Sequence, residues 1–271
     1  MKIKLIASDM DDTLLNNNRE ISPRNEAAIK KAIESGIVFT LASGRMYCSM
    51  QSYAQKLGLD VPLVSYNGAL VKGALSGKVY VNSPLKLQTA LDLLQYVKEN
   101  GHYVQVYMGD KLYVKEENEY SRMYAKISGI QAVAIGEDIY SIKEAPNKLL
   151  LMTATENFEA TWKDVEEKFK GRVDVTSSKD NYLELMEPGV NKWQAVKSLA
   201  ESFGIKPEEI MCIGDSNNDL SMLKNAGIGV AVANAKPQVQ KYAKMVTASN
   251  DNDGVALAIE NILTAQINVP E

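Results

Sequence analysis

Four short stretches hold the residue types from which chemistry could be built. Asp9-Met10-Asp11-Asp12-Thr13 sets carboxylates two residues apart, and Gly214-Asp215-Ser216-Asn217-Asn218-Asp219 adds Asp215 and Asp219. Like charges about 4 Å apart repel by about 4 kcal/mol at an effective dielectric of about 20, so a cation or a protein ammonium belongs beside such a pair. Taken alone, the first stretch is as readily a solvated acidic turn. Clusters made only of oxygen donors suit Mg²⁺ better than zinc. Ala42-Ser43-Gly44-Arg45 precedes a helical pattern from Met46 to Leu57 and offers a hydroxyl, a glycine that permits close approach and a helix N-terminus. Those are the parts of a phosphate seat, although plain helix capping looks the same. Lys192, in Gly189-Val190-Asn191-Lys192, could return positive charge to the acids or be an ordinary surface lysine.

The elements around these stretches read as an α/β fold. Leu5 to Ser8, Ile37 to Ala42, Leu63 to Ser65, Ile210 to Ile213, Ile228 to Val232 and Met245 to Thr247 are short apolar runs separated by helical patterns. Strands apolar on both faces belong to a parallel sheet covered on both sides, and in such sheets ligands sit at the carboxyl ends of the strands. Ser22-Pro23 opens a helix that closes at Gly36, Lys206-Pro207-Glu208-Glu209 opens another, and Asn234-Ala235-Lys236-Pro237 a third. The layout is doubly wound. Between Pro84 and Pro188 the texture changes. Tyr103 to Met108 with Leu112 to Val114, and Val173 to Thr176 with Tyr182 to Met186, read as hairpins, and Leu87 to Asn100 and Phe158 to Phe169 as helices. The expectation is an α+β domain at 84–188 inserted into a core made of 1–83 and 189–271.

Composition excludes several chemistries. The 271 residues contain one histidine, His102, so zinc sites built from histidine clusters are ruled out, and a Ser-His-Asp hydrolase would have to use that residue. With 34 acidic against 30 basic residues and no block of like charge, duplex nucleic acid and anionic membranes are poor partners. A small solute fits better. Cys48 and Cys212 form no disulfide framework, and Asp9 interrupts the first apolar run before it could act as a signal or membrane segment, so a cytoplasmic protein is expected.

In the order DMDDT, SGR, VNK and GDSNND, with an insertion between the second and third, the chain resembles the haloacid dehalogenase superfamily. More narrowly it is similar to the Cof-type phosphatases, whose C2-type cap lies between the Ser/Thr and Lys motifs. The likeness runs nearly end to end, through Ser65-Tyr66-Asn67-Gly68-Ala69, Gly229-Val230-Ala231-Val232-Ala233-Asn234-Ala235 and Ser249-Asn250-Asp251-Asn252-Asp253-Gly254-Val255. It implies a parallel-sheet core with an inserted C2-type cap, and a Mg²⁺-dependent phosphatase of small metabolites, sugar phosphates first.

The resemblance makes Asp9 the nucleophile that forms an aspartyl phosphate, Asp11 the general acid and base, and Lys192 the catalytic cation. It places Asp9, Asp11 through its backbone carbonyl, and Asp215 on the Mg²⁺, with Asp219 and Asn218 supporting that metal site. Ser43 and Gly44 match the phosphate seat, and Arg45, Asn67 and Asn218 lie beside it. Asp12 is expected to point outward or to cap, not to take part in catalysis. Trp193, where many relatives carry glycine, and Val232, where methionine is usual, are departures that touch only packing. The insertion would be a lid carrying specificity, with Tyr103, Tyr107, Tyr113 and Met186 as candidates to face substrate, although such residues also build a cap's own core. His102 has no matched partner and reads as structural. Two alternatives are a phosphomutase of the phosphomannomutase type and a non-catalytic phosphometabolite-binding regulator. A Rossmann oxidoreductase fails, because Gly227-Ile228-Gly229 lacks the third glycine and comes too late in the chain.

Overall fold

The computed structural model describes residues 2–267. Its first strand, β1 (Leu5–Ser8), is buried along its whole length, as its unbroken apolar run requires. The next helix, α1 (Pro23–Glu34), starts where the Ser22 hydroxyl accepts from the Asn25 N–H and Pro23 fills the first turn. It returns the chain to β2 (Val38–Leu41), which lies parallel to β1 with Leu5 opposite Val38. Then α2 (Tyr47–Lys56) leads to β3 (Pro62–Ser65), β4 (Leu70–Gly73) and β5 (Val79–Asn82).

Here the structure corrects one expectation. Among the described residues β3 meets the parallel sheet through a single Ala42–Val64 bridge and a hydrogen bond from the Thr40 hydroxyl to the Pro62 carbonyl, and it pairs antiparallel with β4, which pairs antiparallel with β5. The cause is the tight turn Tyr66–Gly68, where Tyr66, Asn67 and Gly68 all have positive φ and reverse the chain before a crossover helix can form.

The insertion begins with α3 (Leu87–Asn100), β6 (Tyr103–Met108) and β7 (Lys111–Val114), followed by α4 (Glu119–Ser128), β8 (Val133–Ala134), β9 (Lys148–Met152), α5 (Phe158–Lys168), β10 (Asp174–Thr176) and β11 (Tyr182–Met186). These strands form one six-stranded sheet in the order β10-β11-β9-β6-β7-β8, antiparallel except where β7 meets β8. The sequence reading expected two separate hairpins. The missing piece is β9, which lies between β6 and β11 and joins them. Its Leu149-Leu150-Leu151 run is too short and uniform to show a period. Alternation sorts its side chains: Leu149 and Leu151 pack with Leu93, Val97, Val165 and Leu183 beneath the helices, whereas Leu150 and Met152 join the core cluster on the opposite face.

The chain re-enters the core through α6 (Lys192–Ser202), β12 (Ile210–Gly214), α7 (Leu220–Asn225), β13 (Ile228–Ala231), α8 (Pro237–Gln240), β14 (Met245–Val246) and α9 (Gly254–Ile267). Lys206-Pro207 opens only a single 3₁₀ turn, Pro207–Glu209, not the expected helix, because β12 begins at the next residue. The parallel sheet has the order β14-β13-β12-β1-β2, so the chain diverges to either side of β1 and leaves a crevice at the carboxyl ends. Among the described residues no helix is long and apolar enough to cross a membrane. His102 packs half-buried against Tyr96, away from that crevice, as expected of a structural residue.

Leu151→Ala should destabilise the protein by about 2–5 kcal/mol, since Leu151 is fully buried at the centre of the cap sheet. Urea unfolding followed by far-ultraviolet circular dichroism measures it.

Candidate active site

The acidic stretches meet at the carboxyl ends of β1 and β12. The Asp9 N–H extends the ladder by donating to the Ile213 carbonyl at 2.9 Å, which fixes the start of the β1 loop against the end of β12. Lys192, the first residue of α6 and fully buried, donates to Asp9 Oδ1 at 2.5 Å and to Asp219 Oδ1 at 2.6 Å. Asn191 caps that helix, its side chain accepting from the Gln194 N–H. The other oxygen of Asp219, Oδ2, accepts from the N–H groups of Asp215 and Ser216, each at 3.0 Å. Gly214 makes this possible, because a Cβ there would stand 2.6 Å from the Asp219 Cβ. Thr13 donates to Asp215 Oδ1 at 2.8 Å. Asp9, Asp215 and Asp219 thereby each offer an oxygen within 4.8 Å of the others.

Burial raises the Asp9 carboxyl well above the ordinary range; Lys192 opposes the rise, and Asp219, Asp215 and Asp11 add to it. Burial and the Asp219 charge push Asp215 up to about 8. Burial alone would lower the Lys192 ammonium, but Asp219 and Asp9 outweigh it and hold the group charged. With all three clustered carboxylates ionised, one ammonium leaves two negative charges to be balanced. A divalent cation supplies that balance, and the donor set, oxygen throughout, fits Mg²⁺.

Asp11 and Arg45 form a bidentate pair, with Nε to Oδ2 and Nη2 to Oδ1 both 2.7 Å. Burial would raise the Asp11 carboxyl, yet the Arg45 hydrogen bonds and charge prevail and hold it below the usual range. Arg45 is itself buried, over the Tyr53 ring. It therefore stands engaged with Asp11, and a phosphate reaching it would compete with that carboxylate. Asp12 is exposed in a left-handed conformation, φ 58°.

Ser43 is buried, and its hydroxyl accepts from the Arg45 N–H at 3.2 Å. Gly44 is where core and cap meet. A Cβ there would lie 3.0 Å from Asn67 Oδ1 and 3.1 Å from Glu184 Oε2, and its carbonyl accepts from Lys148 Nζ at 2.7 Å. Asn218 donates to Asn67 Oδ1 at 3.0 Å, and Asn67 in turn donates to Glu184 Oε2. Lys148 and Glu184 are themselves paired at 3.1 Å. The residues singled out in the sequence thus converge, and the structure adds Thr13, Lys148, Ser178, Tyr182 and Glu184. The signal for Lys148 and Glu184 is charge embedded in otherwise apolar strands, because both are buried on the core-facing side of their sheet.

Between core and cap lies a cavity of about 80 Å³, floored by Asp9, Asp11, Ser43, Gly44 and Asp215 and roofed by Tyr124, Lys148, Lys179, Tyr182 and Glu184. Usual small-ligand sites run to about 300–1,000 Å³, so the cap is closed down on the site. Tyr103, Tyr107 and Tyr113 do not line this cavity; Tyr107 is buried and donates to Gln105, and Tyr103 stacks on Tyr120. Met186 borders a separate cleft between α5 and α7.

A parallel sheet with carboxylates at two adjacent strand ends, a buried lysine between them and an inserted lid defines a class of phosphoryl-transfer hydrolases. Residues 6–259 match the family of haloacid dehalogenase-like hydrolases, and the chain belongs to it, as a Cof-type phosphatase. It is 30% identical to phosphatase YwpJ of Bacillus subtilis, over 96% of this chain and 100% of that protein. It is 31% identical to 5-amino-6-(5-phospho-D-ribitylamino)uracil phosphatase YcsE of the same organism, over 96% of this chain and 95% of that one. A crystal structure of a haloacid dehalogenase-like hydrolase from Bacteroides thetaiotaomicron superposes with a TM-score of 0.86, at 30% identity over 96% of this chain and 100% of that one.

In chelator-treated protein the native state keeps a proton on Asp215 up to about pH 8, whereas the unfolded chain releases it near pH 4. Stability without metal should therefore fall as pH rises through that window, and Mg²⁺ should remove the penalty. The rise in Tm on adding Mg²⁺ is expected to grow from pH 5 to pH 8 in thermal melts. A rise that does not depend on pH would contradict the cation assignment.

Proposed function

We propose that the protein is a Mg²⁺-dependent phosphatase of small phosphorylated metabolites, sugar phosphates foremost, acting in the cytoplasm through an aspartyl-phosphate at Asp9. The observation that carries this reading is the Asp9 carboxylate, buried at a strand end, with one oxygen held by Lys192 and the other without a protein donor among the described residues. That second oxygen is the nucleophile. It attacks phosphorus, the bond to the leaving alcohol breaks, and the hard hydrolysis becomes two displacements.

Lys192 favours the anionic form of Asp9 and holds it in place, and Asp219 holds Lys192 from behind. Ser43 and the Gly44 N–H take a phosphoryl oxygen, with Asn218 and Asn67 fixing the wall beside them. Mg²⁺, held by Asp9, Asp215 and the Asp11 carbonyl with Asp219 in support, would supply positive charge to the phosphoryl oxygens. Asp11 gives a proton to the leaving oxygen and then takes one from the water that frees Asp9. Its pairing with Arg45 holds it in the base form, so protonation for the first step requires that pair to open when substrate enters.

We read residues 84–188 as the cap and 1–83 with 189–271 as the catalytic core. Two contacts at the crossings support these limits: the Leu85 N–H donates to the Pro146 carbonyl, and the Lys86 N–H to Glu187 Oε2 at 3.0 Å. Free Cys48 and Cys212 accord with a reducing compartment.

Phosphate release from an aryl phosphate should require Mg²⁺ and stop with chelator, and Asp9→Asn should lower kcat by at least about a thousandfold while the fold is kept. Turnover that persists in Asp9→Asn would remove Asp9 from the nucleophile's role. Conversion of a sugar 1-phosphate to its 6-phosphate without free phosphate would make the protein a phosphomutase.

A further inference from the structure

The roof of the cavity contains a polar atom that the molecule itself does not use. Lys148, Glu184 and Ser178 satisfy one another and tie to Gly44 and Asn67. Tyr182 lines the same cavity and is only 6% exposed, yet its hydroxyl is buried and has no hydrogen-bond partner among the described residues. A buried phenol left unpaired is costly and uncommon, and on a residue that lines a reaction cavity a bound ligand is the group that can satisfy it.

The charges around it have a sign. The Lys179 ammonium stands 5.5 Å from the Tyr182 ring centroid, lines the cavity and is in no ion pair among the described residues. Arg19, from the loop after β1, has a buried Nη1 that also lacks a partner, and its charge acts on both Asp11 and Tyr182. It is held there by a left-handed backbone, φ 62°, and by Tyr53 donating to its carbonyl at 3.3 Å. The carboxylates nearby are spoken for, Asp11 by Arg45 and Glu184 by Lys148. Among the described residues Asp12, on the exposed lip, and Asp215, in the acidic cluster at the cavity floor, remain without a cation.

On the phosphatase reading above, we propose that Tyr182 and Lys179, with the Arg19 charge behind them, form a subsite for a second anionic oxygen group, carboxylate or phosphate, on the leaving group of the substrate. The Tyr182 O–H donates to that group, and the two cations favour its charge. The preferred substrates are then phosphate monoesters of acids, or bisphosphates, over neutral sugar phosphates of the same size.

The test compares kcat/KM for a hexose 6-phosphate, the corresponding sugar-acid 6-phosphate and a hexose 1,6-bisphosphate, in the wild-type protein, Tyr182→Phe and Lys179→Met. One or both substrates with an anionic tail should exceed the neutral sugar phosphate by about tenfold or more, the size of a hydrogen bond to a charged group. Whichever of the two leads identifies the group as carboxylate or phosphate. Both substitutions should bring the ratio toward one; Lys179 is exposed, so its replacement leaves folding out of the comparison. Equal or better use of the neutral sugar phosphate by the wild type, or a ratio unchanged in both variants, would overturn the subsite. Failure of the phosphatase reading itself would show differently, as no Mg²⁺-dependent release from any of the three.

Discussion

A lysine buried between two carboxylates is the constraint on which the rest of this structure depends. Lys192 reaches Asp9 at the end of β1 and Asp219 beyond β12, and none of the three can leave water alone at acceptable cost. Each demands something of the backbone. The parallel pairing of β1 with β12 sets Asp9 opposite the second loop, Gly214 clears space for Asp219, and the cap of α6 aims Lys192 inward. Removing one partner would strand a buried charge, which ties the fold of three separate chain segments to a single electrostatic arrangement.

That arrangement is deliberately short of positive charge. Lys192 offsets one of the three clustered carboxylates, and burial together with the remaining negative charge raises Asp9 and Asp215. A site tuned in this way is ready both for a divalent cation and for the phosphoryl group the cation would help to hold. The cap completes it with a second buried pair, Lys148 and Glu184, which contacts Gly44 and Asn67 across the boundary between cap and core. These contacts set buried charged groups of the inserted sheet directly beside Gly44 and Asn67.

The core of this arrangement was readable in the sequence because its signals are local. Strands such as Leu5–Ser8 are unbroken apolar runs, and Asp9, Ser43 and Asp215 stand immediately past their ends, where sheet chemistry concentrates. What escaped is what depends on pairing between distant segments. β9 shows no period of its own, so Lys148 could not be placed next to Gly44, more than a hundred residues earlier. The reversal at Tyr66–Gly68 rests on left-handed residues that composition does not disclose, and it turned an expected parallel strand into a hairpin. The aromatic candidates Tyr103 and Tyr107 share the core-facing side of the sheet with Tyr182, two strands away, yet of these Tyr182 lines the cavity; position across the sheet follows strand order and is invisible without it.

The central claim is that the oxygen of Asp9 takes the phosphoryl group. Rapid acid quenching of the Mg²⁺-loaded enzyme during turnover of a radiolabelled phosphate monoester tests it directly. The account predicts label bound to protein, released by hydroxylamine as an acyl phosphate would be, and mapped to the peptide that contains Asp9. Phosphate release at the full rate with no protein-bound label at any time, or label on a different residue, would contradict it.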